Sequence, residues 1–201
     1  MAFSLALLAG VISSTAARAT SVYGNSVEFP NTSNHTPGYL LGSEINVSDT
    51  ITAVAAGIIF KADGYNADVG IYTDNGGAPG QLVAQTGIFA VTSTGAVETP
   101  FTSNPILPAG NYWFMATYDQ EGYVGIDFSP APQVDYISFN FGDPLPTNYP
   151  SPNVYNGQQF NYYIVGNATT NAVPLPSAAK GALVLLGCCL LVCKKRIAKL
   201  A

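Results

Sequence analysis

Apolar and polar positions alternate in short runs through the middle of this chain, without the 3.6-residue recurrence of an amphipathic helix. Tyr136–Phe141 (YISFNF) and Tyr123–Phe128 alternate with period 2. Ile51–Lys61, Ala67–Tyr72, Leu82–Gln85, Ile88–Val91, Val97–Phe101, Tyr112–Tyr118 and Phe160–Val165 are short runs rich in β-branched, aromatic or small apolar residues. Each predicts a strand. Turn formers separate them, most densely at Thr73–Gly80 (TDNGGAPG) and Leu107–Asn111 (LPAGN). Thr20–Pro37 is polar and predicts a lead-in loop; Pro144–Pro152, with four prolines, predicts a long surface loop. Many short strands punctuated by turns predict an all-β fold, an antiparallel β-sandwich of jelly-roll type.

The two ends break this pattern. Phe3–Ile12 is apolar, and Ala17-Arg18-Ala19 follows a run of small residues. That layout predicts a signal peptide over 1–19, cut before Thr20. At the other end, Gly181–Cys193 is apolar on every face and is followed by Lys194, Lys195 and Arg196. A helix of that length covers roughly 20 Å, short of the roughly 30 Å hydrocarbon core of a membrane. Extension back to Ser177 gives a marginal transmembrane helix over about 177–193, with the basic cluster on the cytoplasmic side. Pro174 and Pro176 keep the segment before it extended. Residues 20–172 are then the exported domain, and 173–201 a separate terminal signal.

The order Val173-Pro174-Leu175-Pro176, apolar run, basic stop resembles the PEP-CTERM class of bacterial sorting signals, in its Val-Pro-Leu-Pro form. Leu175 stands where those signals usually carry glutamate. The resemblance implies processing near the proline motif by an exosortase, a membrane-embedded cysteine transpeptidase. It also implies an exported protein, held at least briefly in the inner membrane and then placed at the cell surface or outside the cell. A second resemblance covers roughly 51–165. Asp74-Asn75-Gly76-Gly77-Ala78-Pro79-Gly80 and Leu107-Pro108-Ala109-Gly110-Asn111-Tyr112-Trp113 look like the turns and strand starts of secreted bacterial β-sandwich domains. That implies a fold and a setting, with no activity attached.

Charge and cysteine usage agree with export. Residues 20–172 hold twelve acidic residues and one basic residue, Lys61, a formal charge of −11. Nucleic acid and anionic membrane surfaces need a basic face, so neither is an expected partner. All three cysteines, Cys188, Cys189 and Cys193, lie in the terminal signal, which leaves the exported domain without disulfide or thiol chemistry.

Candidate chemistry is sparse. His35 is the one histidine and falls in the polar lead-in, where it reads as a solvated loop residue rather than a catalytic base. One His and no Cys exclude a zinc site of the usual kind in this domain. Asp119, Glu121, Asp127 and Asp135 are the carboxylates nearest to a glycosidase pair, and nothing in the sequence marks them as buried. Asp63, Asp68 and Asp74 lie in or beside turn-rich segments and are the candidate calcium ligands; no other cofactor is expected. Trp113, Tyr118 and Tyr123 are the candidate sugar contacts, because flat aromatic faces stack on pyranose rings.

The expectation is a non-enzymatic exported surface or matrix protein with an exosortase-type partner. Its alternative is a carbohydrate-binding module that attaches to extracellular polysaccharide. A hydrolase comes third.

Overall fold

The computed structural model describes residues 20–35, 37–128 and 133–169. The expected signal peptide, the sorting motif at Val173–Pro176, the helix over about 177–193 and the basic stop at Lys194–Arg196 lie outside the described residues. The described chain is all-β. Its strands are β1 (Thr20–Gly24), β2 (Asn31–His35), β3 (Tyr39–Val47), β4 (Ile51–Phe60), β5 (Tyr65–Asp74), β6 (Pro79–Gln85), β7 (Phe89–Val91) and β8 (Gly95–Pro100). They continue with β9 (Ile106–Leu107), β10 (Gly110–Tyr118), β11 (Gly122–Asp127), β12 (Gln133–Ser138), β13 (Asn153–Asn156), β14 (Gln159–Phe160) and β15 (Tyr162–Ala168).

The strands form two antiparallel sheets. The first runs β1-β15-β4-β11-β14, with β2 on β11 and β8 and β9 on β4; the second runs β13-β12-β3-β10-β5-β6, with β7 on β5. Both contribute to one apolar core. Ile51, Ala53, Ala56, Ile58, Phe60, Phe160, Tyr162 and Ile164 enter it from the first sheet, and Ile45, Val69, Ile71, Tyr112, Phe114 and Tyr118 from the second. The fold is therefore sandwich-like.

Burial explains which runs look continuous and which alternate. In β10 the inner positions Tyr112, Phe114, Ala116 and Tyr118 join the shared core. Its outer positions Trp113 and Met115 join a second cluster with Leu40, Tyr72, Leu145 and Tyr149. Both faces are covered, so the strand reads as one apolar run. In β4 the core positions change phase, from 51 and 53 to 56, 58 and 60. The pairing changes with them: Val165 faces Ala55 while Gly166 faces Ala53, so Val54 is an extra residue in a β-bulge. The bulge lets one strand keep apolar side chains inward on both sides of the irregularity.

Two expectations are corrected, and one unassigned stretch is filled. Thr20–Pro37 is not a free lead-in: β1 pairs with β15, and β2 pairs with β11. Polar strands of this kind carry little hydrophobic signal because one face meets solvent. The strand expected at Tyr136–Phe141 instead spans Gln133–Ser138; the Phe139 N–H makes one more bond, to Gly38 O at 2.8 Å, and the pairing ends there. Residues 39–47, which the pattern left unassigned, form β3, a strand between β12 and β10. The proline-rich stretch 144–152 is irregular, as expected, but it is bound to the second sheet. Leu82 N donates to Thr147 O at 2.9 Å, Tyr149 N to Gly80 O at 2.8 Å, and the Tyr149 hydroxyl to Leu40 O at 2.8 Å. Leu145 and Tyr149 are thereby buried over Trp113 and Tyr72.

Candidate functional site: an aromatic cleft

The concave site with the clearest chemical character lies where β2, on the first sheet, faces the β3-β12-β13 side of the second. Its volume is about 410 Å³, within the usual range for ligand pockets. Strand register assembles its aromatic wall. Leu41 pairs with Tyr136, Tyr39 with Ser138 and Val134 with Tyr155. Tyr39, Tyr136 and Tyr155 therefore occupy diagonal positions on one face of three adjacent strands, within reach of one another. The Tyr39 and Tyr136 ring centroids are 5.7 Å apart at 75°, and those of Tyr136 and Tyr155 are 5.9 Å apart at 60°. Tyr39 keeps 37% of its surface exposed, and the other two rings are half-buried.

The opposite wall comes from Ser33, Asn34 and His35 of β2, with Gln158 at the rim. His35 is 4% exposed, which corrects its reading as a solvated loop residue. It pairs across the sheet with Gly122. A Cβ at Gly122 would come within 2.7 Å of the Tyr118 ring, so the glycine leaves space for that ring. Tyr118 then packs edge-on against His35, with centroids 5.5 Å apart, and Phe160 does the same at 4.8 Å. His35 Nδ1 lies 3.3 Å from the Tyr162 hydroxyl, which lies 3.1 Å from that of Tyr118. Nε2 is buried without a partner in the described protein.

The electrostatics of the cleft are neutral. Burial lowers the His35 pKa to about 3, so the imidazole is uncharged near neutral pH. Burial, with a smaller effect from Tyr136, pushes the Tyr155 phenol up to about 12. The Tyr155 hydroxyl donates to Gln158 Oε1 at 3.1 Å, which fixes the amide at the rim. Among the described residues, no acidic, lysine or arginine side chain lines the cavity. Stacking and neutral hydrogen bonds are what such a surface offers.

The residues singled out from the sequence fall elsewhere. Trp113 is 1% exposed on the outer face of β10, under the 139–152 segment, and its Nε1 donates to Asp74 Oδ1 at 3.0 Å. Tyr118 is buried in the shared core. Neither presents a face to a sugar, because each is a packing residue of a strand covered on both sides. Tyr123 is half-exposed on β11, with its hydroxyl on Glu121 Oε2 at 3.1 Å. The structure does not bring the three together.

Nor does it gather the acidic candidates. Asp63 is exposed in the β4–β5 turn, whereas Asp68 lies in β5 beside the Thr86 hydroxyl at 3.3 Å. Asp74 also accepts the Gly77 N–H at 2.9 Å, which closes the turn. Among the described residues, no group of three or more His, Cys, Asp or Glu side chains is placed to hold a metal ion. Asp119 accepts from Asn66 N at 2.8 Å and from Asn66 Nδ2 at 2.6 Å, so it fastens the β10–β11 turn to the start of β5. Asp135 is fully buried, and burial raises its pKa, while Gln133 Nε2 donates to its Oδ1 at 2.6 Å. It lies in β12 of the second sheet, whereas Asp127 lies in β11 of the first.

Tyr39 and Tyr136 escape sequence reasoning, since only register places them side by side. No protein-family model and no curated protein matches the chain.

Proposed function

We propose that this chain is a non-enzymatic, exported cell-surface or extracellular-matrix protein. A signal peptide over 1–19 starts its export, and an exosortase-type enzyme processes the C-terminal signal at Val173–Pro176. The transmembrane helix over about 177–193 holds the chain in the inner membrane until then, and Lys194, Lys195 and Arg196 mark the cytoplasmic stop. The domain over 20–172, a β-sandwich of jelly-roll connectivity, is what remains at the surface. The observation that carries this reading is the pairing of two end segments of opposite purpose around an acidic, cysteine-free domain. A non-enzymatic role fits the one histidine, which is held neutral among aromatic rings. It fits the carboxylates too: Asp74 and Asp119 are engaged in turns and Asp135 with an amide.

The test is made in a host with an exosortase. Val173–Pro176 is replaced by four alanines, and size and location are followed by immunoblot of membrane and medium fractions. The unaltered chain is expected to shorten and leave the membrane, and the variant to stay full-length in it. Identical size and location for both would overturn the sorting assignment.

A further inference from the structure

We propose that the aromatic cleft is a binding site for a neutral, soluble polysaccharide chain. Three observations carry it. The first is the tyrosine strip. Tyr39, Tyr136 and Tyr155 follow one another in steps of 5.7 and 5.9 Å. The rings touch edge-on or tilted, so the strip offers one continuous aromatic surface, about two pyranose residues long, to neighbouring sugars of an extended glycan. Aromatic side chains bury much apolar area at small entropic cost, which suits a ligand with apolar C–H faces.

The second is what accompanies the rings. Asn34 and Gln158 supply neutral amides, and Ser33 adds a hydroxyl on the same wall as Asn34. Sugar hydroxyls both donate and accept, and this set answers both. Anionic sugars or phosphates would call for arginine or lysine, and none lines the cavity among the described residues. The surrounding domain, with its twelve acidic residues and one lysine, repels polyanions as well.

The third is shape. The rings are turned by 75° and 60° relative to their neighbours, so they form steps and not a plane. A flat crystalline surface needs coplanar rings. A stepped cleft accepts a single chain that bends. This site goes beyond the sorting assignment and is independent of it: a chain that is never processed would still carry the cleft.

The experiment uses the full chain purified in detergent and affinity electrophoresis through gels containing dextran, soluble starch, glucomannan or alginate. Binding to crystalline cellulose is measured by sedimentation. Retardation by at least one neutral polymer is expected, with none by alginate and no cosedimentation with cellulose. Tyr39→Ala should weaken that binding about tenfold, the effect of losing one stacking face. Tyr136→Phe keeps the ring and should retain binding within a few-fold. Tyr39 is an exposed side chain, and an unchanged melting temperature for its variant confirms that the fold survives. Lack of retardation by every neutral polymer, equal retardation by alginate, or undiminished binding by a folded Tyr39→Ala would each overturn the proposal. Dimerisation that Tyr39→Ala abolishes, without glycan binding, would assign the cleft to a second copy of the chain and overturn it too.

Discussion

The Tyr162 hydroxyl sits 3.3 Å from Nδ1 of His35, so the one histidine of this protein is tied to the innermost tyrosine of β15. Tyr162 also stacks on Phe114 of the opposite sheet, with centroids 4.6 Å apart at 21°. Through these contacts β2, a polar edge strand, is fastened to the shared core, and the cleft wall it forms becomes a fixed surface.

Acid should act on this arrangement through His35. Burial lowers its folded pKa to about 3, below the ordinary value of 6.5. Between those values the unfolded chain binds a proton that the native chain refuses. The contribution is therefore complete above about pH 6.5 and is lost as the pH falls toward 3, at about 1.4 kcal/mol per unit. Asp68 and Asp135 work in the opposite sense. Burial raises their pKa values, so the native chain keeps their protons longer and acid relieves a buried charge. His35→Gln removes only the histidine contribution. Urea midpoints at several pH values should show the stability advantage of the unaltered chain shrinking from pH 7 to pH 4. A difference that stays constant would show that His35 is not held neutral by the fold.

Asn161 is a second fixing point. Its Oδ1 accepts the Phe29 N–H at 2.8 Å, and its Nδ2 donates to Val27 O at 2.7 Å and Asn25 O at 3.0 Å. Lys61 secures the same segment through Phe29 O at 2.8 Å and through Glu28. Asn161→Ala leaves three backbone groups without their partner and should cost about 3 kcal/mol. Chemical denaturation measures the loss, and proteolysis should cut first between residues 25 and 30.

Gly42 marks the closest approach within the second sheet. A Cβ there would fall 1.7 Å from the Phe114 carbonyl oxygen of β10. The obstacle is backbone and cannot rotate away, so β3 and β10 would have to part. Gly42→Ala should destabilise by more than about 3 kcal/mol, the upper range for an overpacked interior. Gly64→Ala is the contrasting control: a Cβ at Gly64 meets nothing, although its φ of 91° makes the change strained. A Gly42→Ala protein as stable as the Gly64→Ala protein would contradict this close β3–β10 approach.

Trp113 gives a direct optical check, since the chain has one tryptophan. Buried at 1% exposure, it should emit at short wavelength and resist acrylamide quenching until the protein unfolds. Neutral polysaccharide should leave that emission unchanged, because Trp113 does not line the cleft. Trp113→Phe keeps most of the ring but removes the Nε1–H donated to Asp74, and should cost about 1–2 kcal/mol. Strong quenching in the native state would place the indole at the surface.

Much of the fold was legible because β-strands announce themselves through period and punctuation. Ile51–Lys61 became β4 almost residue for residue, and Tyr112–Tyr118 became most of β10. What escaped had a common cause. β1 and β2 are edge or near-edge strands rich in Asn, Ser and Thr, and their strand character comes from the neighbours that supply their hydrogen bonds. In β3, Leu40-Leu41-Gly42-Ser43 breaks the apolar run at the very point where glycine is required by a close backbone.

The candidate site shows the same division. Composition and patterning by themselves determined an all-β, acidic, cysteine-free domain, and they supplied the aromatic residues from which a ligand surface is made. They could not say which rings are spent on packing. Trp113 and Tyr118 are spent because both faces of β10 are covered, one by the first sheet and one by the 139–152 segment. Tyr39, Tyr136 and Tyr155 are not, because the register of three strands aligns them on a diagonal at the mouth of a cleft. Alternation is local and survives in the sequence. Register and cover are relations between distant segments, set by loop lengths and by what packs on what, so only the tertiary structure decides them.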